Sequence, residues 1–175
     1  MKMLKKLLAV VLTGAMALTL FTACGSNAVR DKDIADALNN IVKLNDSEVT
    51  FTPRAKEREM AQKVAALLES HSEDDSNSAE LSAKIQGILG IDQGGVNENN
   101  FVWVQNALTD KLGAEGQAFQ VMESLTDKGG AYNFSSLGSK EPADTRYIGT
   151  ALCKIPDQKD NLVTVRVIVV TAEAK

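Results

Sequence analysis

Apolar and polar residues follow one another along this chain with two rhythms, and each rhythm predicts an element. From Asp31 to Leu44 the apolar residues Ile34, Leu38, Ile41 and Val42 recur every three or four positions, which lines them along one face of a helix. Asp31 or Asp33 stands near its start as a cap, and Asn45-Asp46-Ser47 stops it. Val49-Thr50-Phe51 reads as a brief extended piece. Thr52 and Pro53 then open a second helix as N-cap and first-turn proline, with a stripe of Met60, Ala61, Val64, Ala65, Leu67 and Leu68 that ends near Ser70. Ser70–Ser78 is a polar loop. A third helix from about Ala79 to Leu89 presents Leu81, Ile85, Ile88 and Leu89. A fourth, Ala114–Thr126, presents Ala118, Val121, Met122 and Leu125 and ends at Asp127-Lys128-Gly129-Gly130.

The second rhythm has a period of two. Asp92–Asn100 is turn chemistry rich in glycine and asparagine, and Phe101–Val104 follows as a strand with Phe101 and Trp103 on one face. Ala131–Thr145 reads mostly as loop. Tyr147–Ile155 and Leu162–Thr171 are strands joined by Pro156–Asn161. In the second of them Val163, Val165, Val167 and Val169 point to one side, while Thr164, Arg166, Ile168 and Val170 point to the other. Such a hairpin needs cover for its apolar sides, and four amphipathic helices supply it. The predicted fold class is α+β: a three-layer α–β–α sandwich around a small antiparallel sheet, one domain over residues 31–175.

Ahead of that domain the periodicity vanishes. Leu7–Leu20 carries no charge, Met1–Lys6 carries three lysines, and Phe21-Thr22-Ala23 leads into Cys24-Gly25-Ser26-Asn27. A basic stretch, a short apolar stretch and a small residue before the cut describe a signal peptide over residues 1–23. The apolar run falls short of the roughly 20 residues a membrane span needs. A cysteine directly after the cut resembles the lipobox of bacterial lipoproteins, although Phe21 stands where Leu, Val or Ile is usual. The resemblance implies that the Cys24 thiol takes a diacylglyceryl group and becomes the new N-terminus, with further acylation such as palmitate. Residues 24–30 would then be a lipidated tether, and the domain would be held at the cell membrane facing outside the cytoplasm. An ordinary signal peptide cut nearby is the rival reading, and it leaves the position of the cysteine to coincidence.

Removing residues 1–23 leaves 152 residues and takes away Lys2, Lys5 and Lys6, moving the formal charge from −4 to −7. That length suits one domain burying roughly 70% of its unfolded surface. An acidic balance without a basic cluster argues against nucleic acid as a partner. With Cys24 acylated, Cys153 is the only thiol left, so the fold rests on its apolar core without a disulfide. No zinc spacing, phosphate-binding glycine loop or internal repeat is present, and no cofactor or metal is expected.

The order of elements, closing on Tyr147-Ile148-Gly149-Thr150-Ala151-Leu152-Cys153 and a valine-rich strand, resembles a CAP domain. This is the family of cysteine-rich secretory proteins, antigen 5 and pathogenesis-related proteins. Ser70-His71-Ser72 is similar to the family's Ser-His after its second helix. Asn97-Glu98-Asn99 is similar to its Gly-Glu-Asn segment, and Phe119–Ser124 to the helix that in relatives ends Trp-Met-x-Ser. The resemblance implies a cavity lined by two histidines and two acids. His71 would be the first histidine, Glu98 one acid and Glu73 a loose candidate for the other. The second histidine lies in a Gly-His-Arg-x-Asn-Ile segment in relatives, and Gly130 stands at that place here. This chain has one histidine in total.

A lone imidazole limits the chemistry. Paired histidines are what would suit such a cavity to a transition metal, and a serine triad needs its three groups brought together, where Ser72, Ser76 and Ser78 are only neighbours of His71 in a polar loop. Glu73-Asp74-Asp75 lacks the alternating spacing and turn glycine of a calcium loop. Cys153 reads as a small buried side chain. Trp103 is a core or cleft aromatic, and beside Tyr132 and Phe134 it would favour an apolar ligand. The resulting expectation is a non-catalytic, surface-tethered binder of cell-wall material, a small apolar ligand or another protein. A weak peptide or cell-wall hydrolase acting through His71 and Glu98 is the alternative. An unrelated α+β lipoprotein is the third reading.

Overall fold

The computed structural model describes residues 29–45, 47–70, 78–91, 97–108, 112–126, 131–157 and 161–175. They form α1 (Asp31–Leu44), β1 (Thr50–Pro53), α2 (Ala55–Ser70), α3 (Ser78–Ile88), β2 (Asn100–Leu108), α4 (Ala114–Thr126), α5 (Phe134–Leu137), β3 (Thr145–Pro156) and β4 (Leu162–Glu173). The fold is an α+β sandwich, as expected. Among these residues no helix is long and apolar enough to cross a membrane.

Asp33 is the acid that caps α1. Its carboxylate accepts the Arg30 N–H at 2.7 Å, which satisfies a backbone donor that has no partner inside the helix. Asp31 has turned inward and is buried. The start of α2 differs from the sequence expectation. Thr52 and Pro53 belong to β1, and the helix begins at Ala55. Strand pairing with Tyr147 and Ile148 has overridden their capping preference, and a proline is tolerated at the end of a short edge strand. Ala131–Thr145, expected as loop, contains the single helical turn α5.

The sheet order is β1-β3-β4-β2. The long β3–β4 hairpin and the β2–β4 pair are antiparallel, but β1 runs parallel to β3. The sheet is therefore mixed, not antiparallel throughout. Four residues carry no pattern that encodes direction; where α1 delivers the chain decides it.

Alternation along the strands sends two sets of side chains to two cores. On one face, Phe101, Trp103, Ile148, Ile168 and Val170 meet Ile34 and Leu38 of α1 and Ala118 and Val121 of α4. On the other, Val102, Cys153, Val165, Val167 and Val169 meet Ala61, Val64 and Ala65 of α2, Ile85 of α3 and Leu89 just after it. Each fully buried aliphatic side chain contributes about 1.5–3 kcal/mol, so β4, apolar on both sides, is the spine of the molecule. The close fit of α2 depends on Gly149. A Cβ there would lie 1.9 Å from the Arg58 nitrogen and 2.2 Å from the Glu57 carbonyl carbon.

Side chains close stretches of both sheet edges. Beyond β1, the Thr150 N–H donates to Asp31 Oδ1 at 3.1 Å and the Lys154 N–H to Glu69 Oε1 at 2.8 Å. On the β2 edge, Asn133 is fully buried; its Oδ1 accepts the Val102 N–H at 3.0 Å and its amide donates to the Asn100 carbonyl. The Tyr132 N–H donates to the Val102 carbonyl at 2.9 Å. Strand donors and acceptors that would otherwise invite a foreign strand are used internally.

Candidate functional site

Charged side chains enter this fold at three places. The first is under the opening turn of α2. Glu57 is completely buried, and Arg54 grips it in a fork: Nε donates to Oε2 at 2.7 Å and Nη2 to Oε1 at 2.5 Å. The Thr171 hydroxyl donates to the same carboxylate at 2.7 Å. The Arg54 guanidinium lies over the Tyr147 ring, 3.6 Å from its centroid. Burial works to raise the Glu57 pKa, but the hydrogen bonds from Arg54 and Thr171 outweigh it and hold the carboxyl below its ordinary value. This carboxylate stays ionised and tied down.

The second place is the N-terminus of α1. Asp31 Oδ1 accepts both the backbone N–H and the hydroxyl of Thr150, the latter at 2.7 Å, and Oδ2 accepts Arg58 Nε at 2.5 Å. Thr150 Oγ1 in turn accepts Arg166 Nη1 at 3.0 Å. Arg166 Nε donates to Gln117 Oε1 at 2.8 Å, and Gln117 Nε2 to the Leu112 carbonyl at 2.9 Å. One polar chain thus runs from α2 through α1, β3 and β4 to α4. All but the last of these hydrogen bonds tie one element to another, so the chain of bonds braces the fold.

The third place is different. Trp103 is 6% exposed and stacks on Phe101, with ring centroids 5.7 Å apart and planes 18° from parallel. Phe134 tilts against Phe101 at the same centroid distance. The Arg146 guanidinium carbon lies 5.5 Å from the Trp103 centroid. Trp103 Nε1 and Arg146 Nη1 are both enclosed, and neither has a hydrogen-bond partner among the described residues. Burial lowers the pKa of Arg146, against the pull of Asp144 and Glu141.

Of the residues singled out from sequence, those described by the structure, Glu98, Trp103, Tyr132 and Phe134, are not gathered into one site. Glu98 is exposed in the turn before β2, and it is its backbone carbonyl that engages, accepting Lys140 Nζ at 2.7 Å. Asn97 beside it organises the turn by accepting the N–H groups of Asn99 and Asn100. Trp103 and Phe134 belong to the α1/α4 core, whereas Tyr132 is half-buried against the α2/α3 core. The three aromatics therefore form no common wall. Cys24, His71, Glu73 and Gly130 lie outside the described residues. Among the described residues no group of three or more His, Cys, Asp or Glu is placed to hold a metal ion. Cys153 is buried, and burial, aided by Glu69, pushes its thiol up to about 11, which keeps it protonated and inert near neutrality.

Sequence reasoning missed Asp31 as an anchor, together with Glu57 and Arg146. The one available signal was Arg166, a charge set in an unbroken β-branched run. An open, polar cleft of about 500 Å³ lies along α1 and the approach to β1, lined by Asp36, Asn39, Lys43, Glu48 and Thr50 among others. The Asn39 amide within it is committed to the Phe51 backbone, at 3.0 and 2.7 Å. Comparison of the chain with protein-family models, with curated proteins and with solved structures finds no match.

Proposed function

We propose that this chain is a membrane-anchored, extracytoplasmic lipoprotein whose CAP-like α+β domain binds a partner and does not catalyse a reaction. The tether reading rests on Cys24, set directly behind a basic and apolar leader. The binding reading rests on how the buried polar groups are employed: Asp31 and Glu57 are held by two or more donors each, and the Cys153 thiol is protonated. A general acid or base needs a group free to exchange a proton near the working pH, and these groups are not free. Helices on both faces of the sheet and a valine-rich closing hairpin support the CAP-like reading. Cell-wall material, a small ligand or another protein outside the cytoplasm is the partner class.

Radiolabelled palmitate supplied to bacteria expressing the full chain tests the anchor. Label is expected in the protein and absent from Cys24→Ala, and the mature chain is expected to begin at residue 24. Label retained by the variant would overturn the anchor. Equilibrium dialysis with zinc tests the passive domain, where weak binding insensitive to His71→Ala is expected. Stoichiometric submicromolar binding that His71→Ala abolishes would replace this reading with a working metal centre.

A further inference from the structure

We infer that Trp103 and Arg146 form a receptor for a monocarboxylate. Two donors there lack acceptors among the described residues. An enclosed N–H without a partner is destabilising, and more so when the group is charged. Such groups in a folded protein signal an acceptor that belongs there. Here two occur together, the indole Nε1–H and the guanidinium Nη1–H, with the guanidinium carbon 5.5 Å from the indole centroid. Both offer protons and neither can accept one, so what they await is an oxygen acceptor.

Charge selects among acceptors. The site brings one positive charge, and Asp144 and Glu141 lie near enough to be felt by Arg146. Lys175 Nζ holds Asp144 Oδ1 at 2.8 Å, so little positive charge is left over, and the acids repel a singly charged carboxylate less than a dianion such as phosphate. The stacked Phe101 and Trp103, with Phe134 tilted beside them, make the surroundings apolar and strengthen any charge-assisted bond formed there. Arg146 as a residue is partly buried, and its Nη1 is enclosed. This assignment names the ligand chemistry of the proposed binding domain and rests on that reading. It is independent of the lipid anchor, since a failed palmitate experiment would leave the titration below standing, and the reverse holds too.

The chain contains one tryptophan, so its indole N–H gives a single signal that reports this site alone. The test is a titration of the full chain, ¹⁵N-labelled at tryptophan and held in a neutral glycoside detergent. The probes are acetate, N-acetylglycine as a mimic of a peptide C-terminus, phosphate, and chloride at matched ionic strength. Acetate is expected to move the indole proton downfield to saturation with a midpoint of order 1 mM, the range open to so small a ligand. Tighter binding of N-acetylglycine than of acetate would assign the source as a peptide terminus, and equal or weaker binding as a free acid. Arg146→Gln should weaken the response at least ~10-fold and remove the acetate-dependent rise in melting temperature. An indole signal that ignores acetate, or moves equally with chloride, overturns the proposal and leaves an ordered water as the acceptor. So does an undiminished response in Arg146→Gln. If that variant fails to fold, Trp103→Phe decides the matter instead: loss of the acetate-dependent melting shift is expected, and a shift as large as the parent's overturns the proposal.

Discussion

Gly149 is where α2 meets the sheet most closely, and its hydrogen is the whole allowance. The atoms a Cβ would strike are backbone atoms of Glu57 and Arg58, which cannot rotate aside. Gly149→Ala is therefore expected to cost at least ~3 kcal/mol, at or above the upper end of ordinary overpacking, in a urea unfolding experiment. A loss under ~1 kcal/mol would mean that α2 sits further from β3 than described. Asn133 works by the opposite device, filling a need rather than leaving a space. Replacing it with alanine strips the Val102 N–H and the Asn100 carbonyl of their partner. Asn133→Ala should cost about 2–4 kcal/mol, and the Val102 amide should exchange with solvent markedly faster.

At the level of elements, α2 is pinned by a charge whose state depends on pH. Glu57 has its folded pKa held below the ordinary value of 4.5. Its contribution to stability is thus fully present above that value and lost as pH falls through the lower, folded one. Thr171→Val removes one of the donors to the carboxylate. The variant should be less stable than the parent by about 1.5–3 kcal/mol at neutral pH, a gap that narrows as pH is lowered into the acid range. Melting curves from neutral to acid pH read this directly, and a gap that widens toward acid would contradict the ion-pair account. Helices α1, α2 and α4 and the hairpin strands were legible because apolar spacing is enforced along most of the length of each. The parallel placement of β1 was not, since four residues have no period to read. Neither was the role of Asp31 or Glu57, which look in sequence like any acid in the first turn of a helix. Arg146 was overlooked for a similar reason: nothing local says that a strand-opening arginine will be folded over a tryptophan. The candidate residues taken from the CAP resemblance were chosen by position in the chain; among them Glu98 is exposed before β2, and its backbone carbonyl accepts Lys140 Nζ.

Over the whole molecule, two cores lie back to back with β4 common to both. Leu38 is fully enclosed on the α1/α4 side and Val64 almost so on the α2/α3 side, with the sheet between them. Leu38→Ala should cost about 2–5 kcal/mol. Val64→Ala should cost about 1.5–3 kcal/mol. The double variant should equal the sum within ~0.5 kcal/mol, because neither cavity touches the other's neighbours. A large departure from additivity in chemical denaturation would show the two halves to be one coupled core.

The polar chain that begins at Asp31 has a bearing on load. Asp31 opens the first helix, seven positions after the proposed anchor at Cys24, and from there its bonds fan out to β3 and α2 and onward to β4 and α4. A tug arriving from a lipid-held end would enter the fold at this junction and be shared among four elements at once. Peeling the first helix away would require breaking that knot before Ile34 and Leu38 are uncovered, so a tethered domain of this design resists being dragged open from its leash.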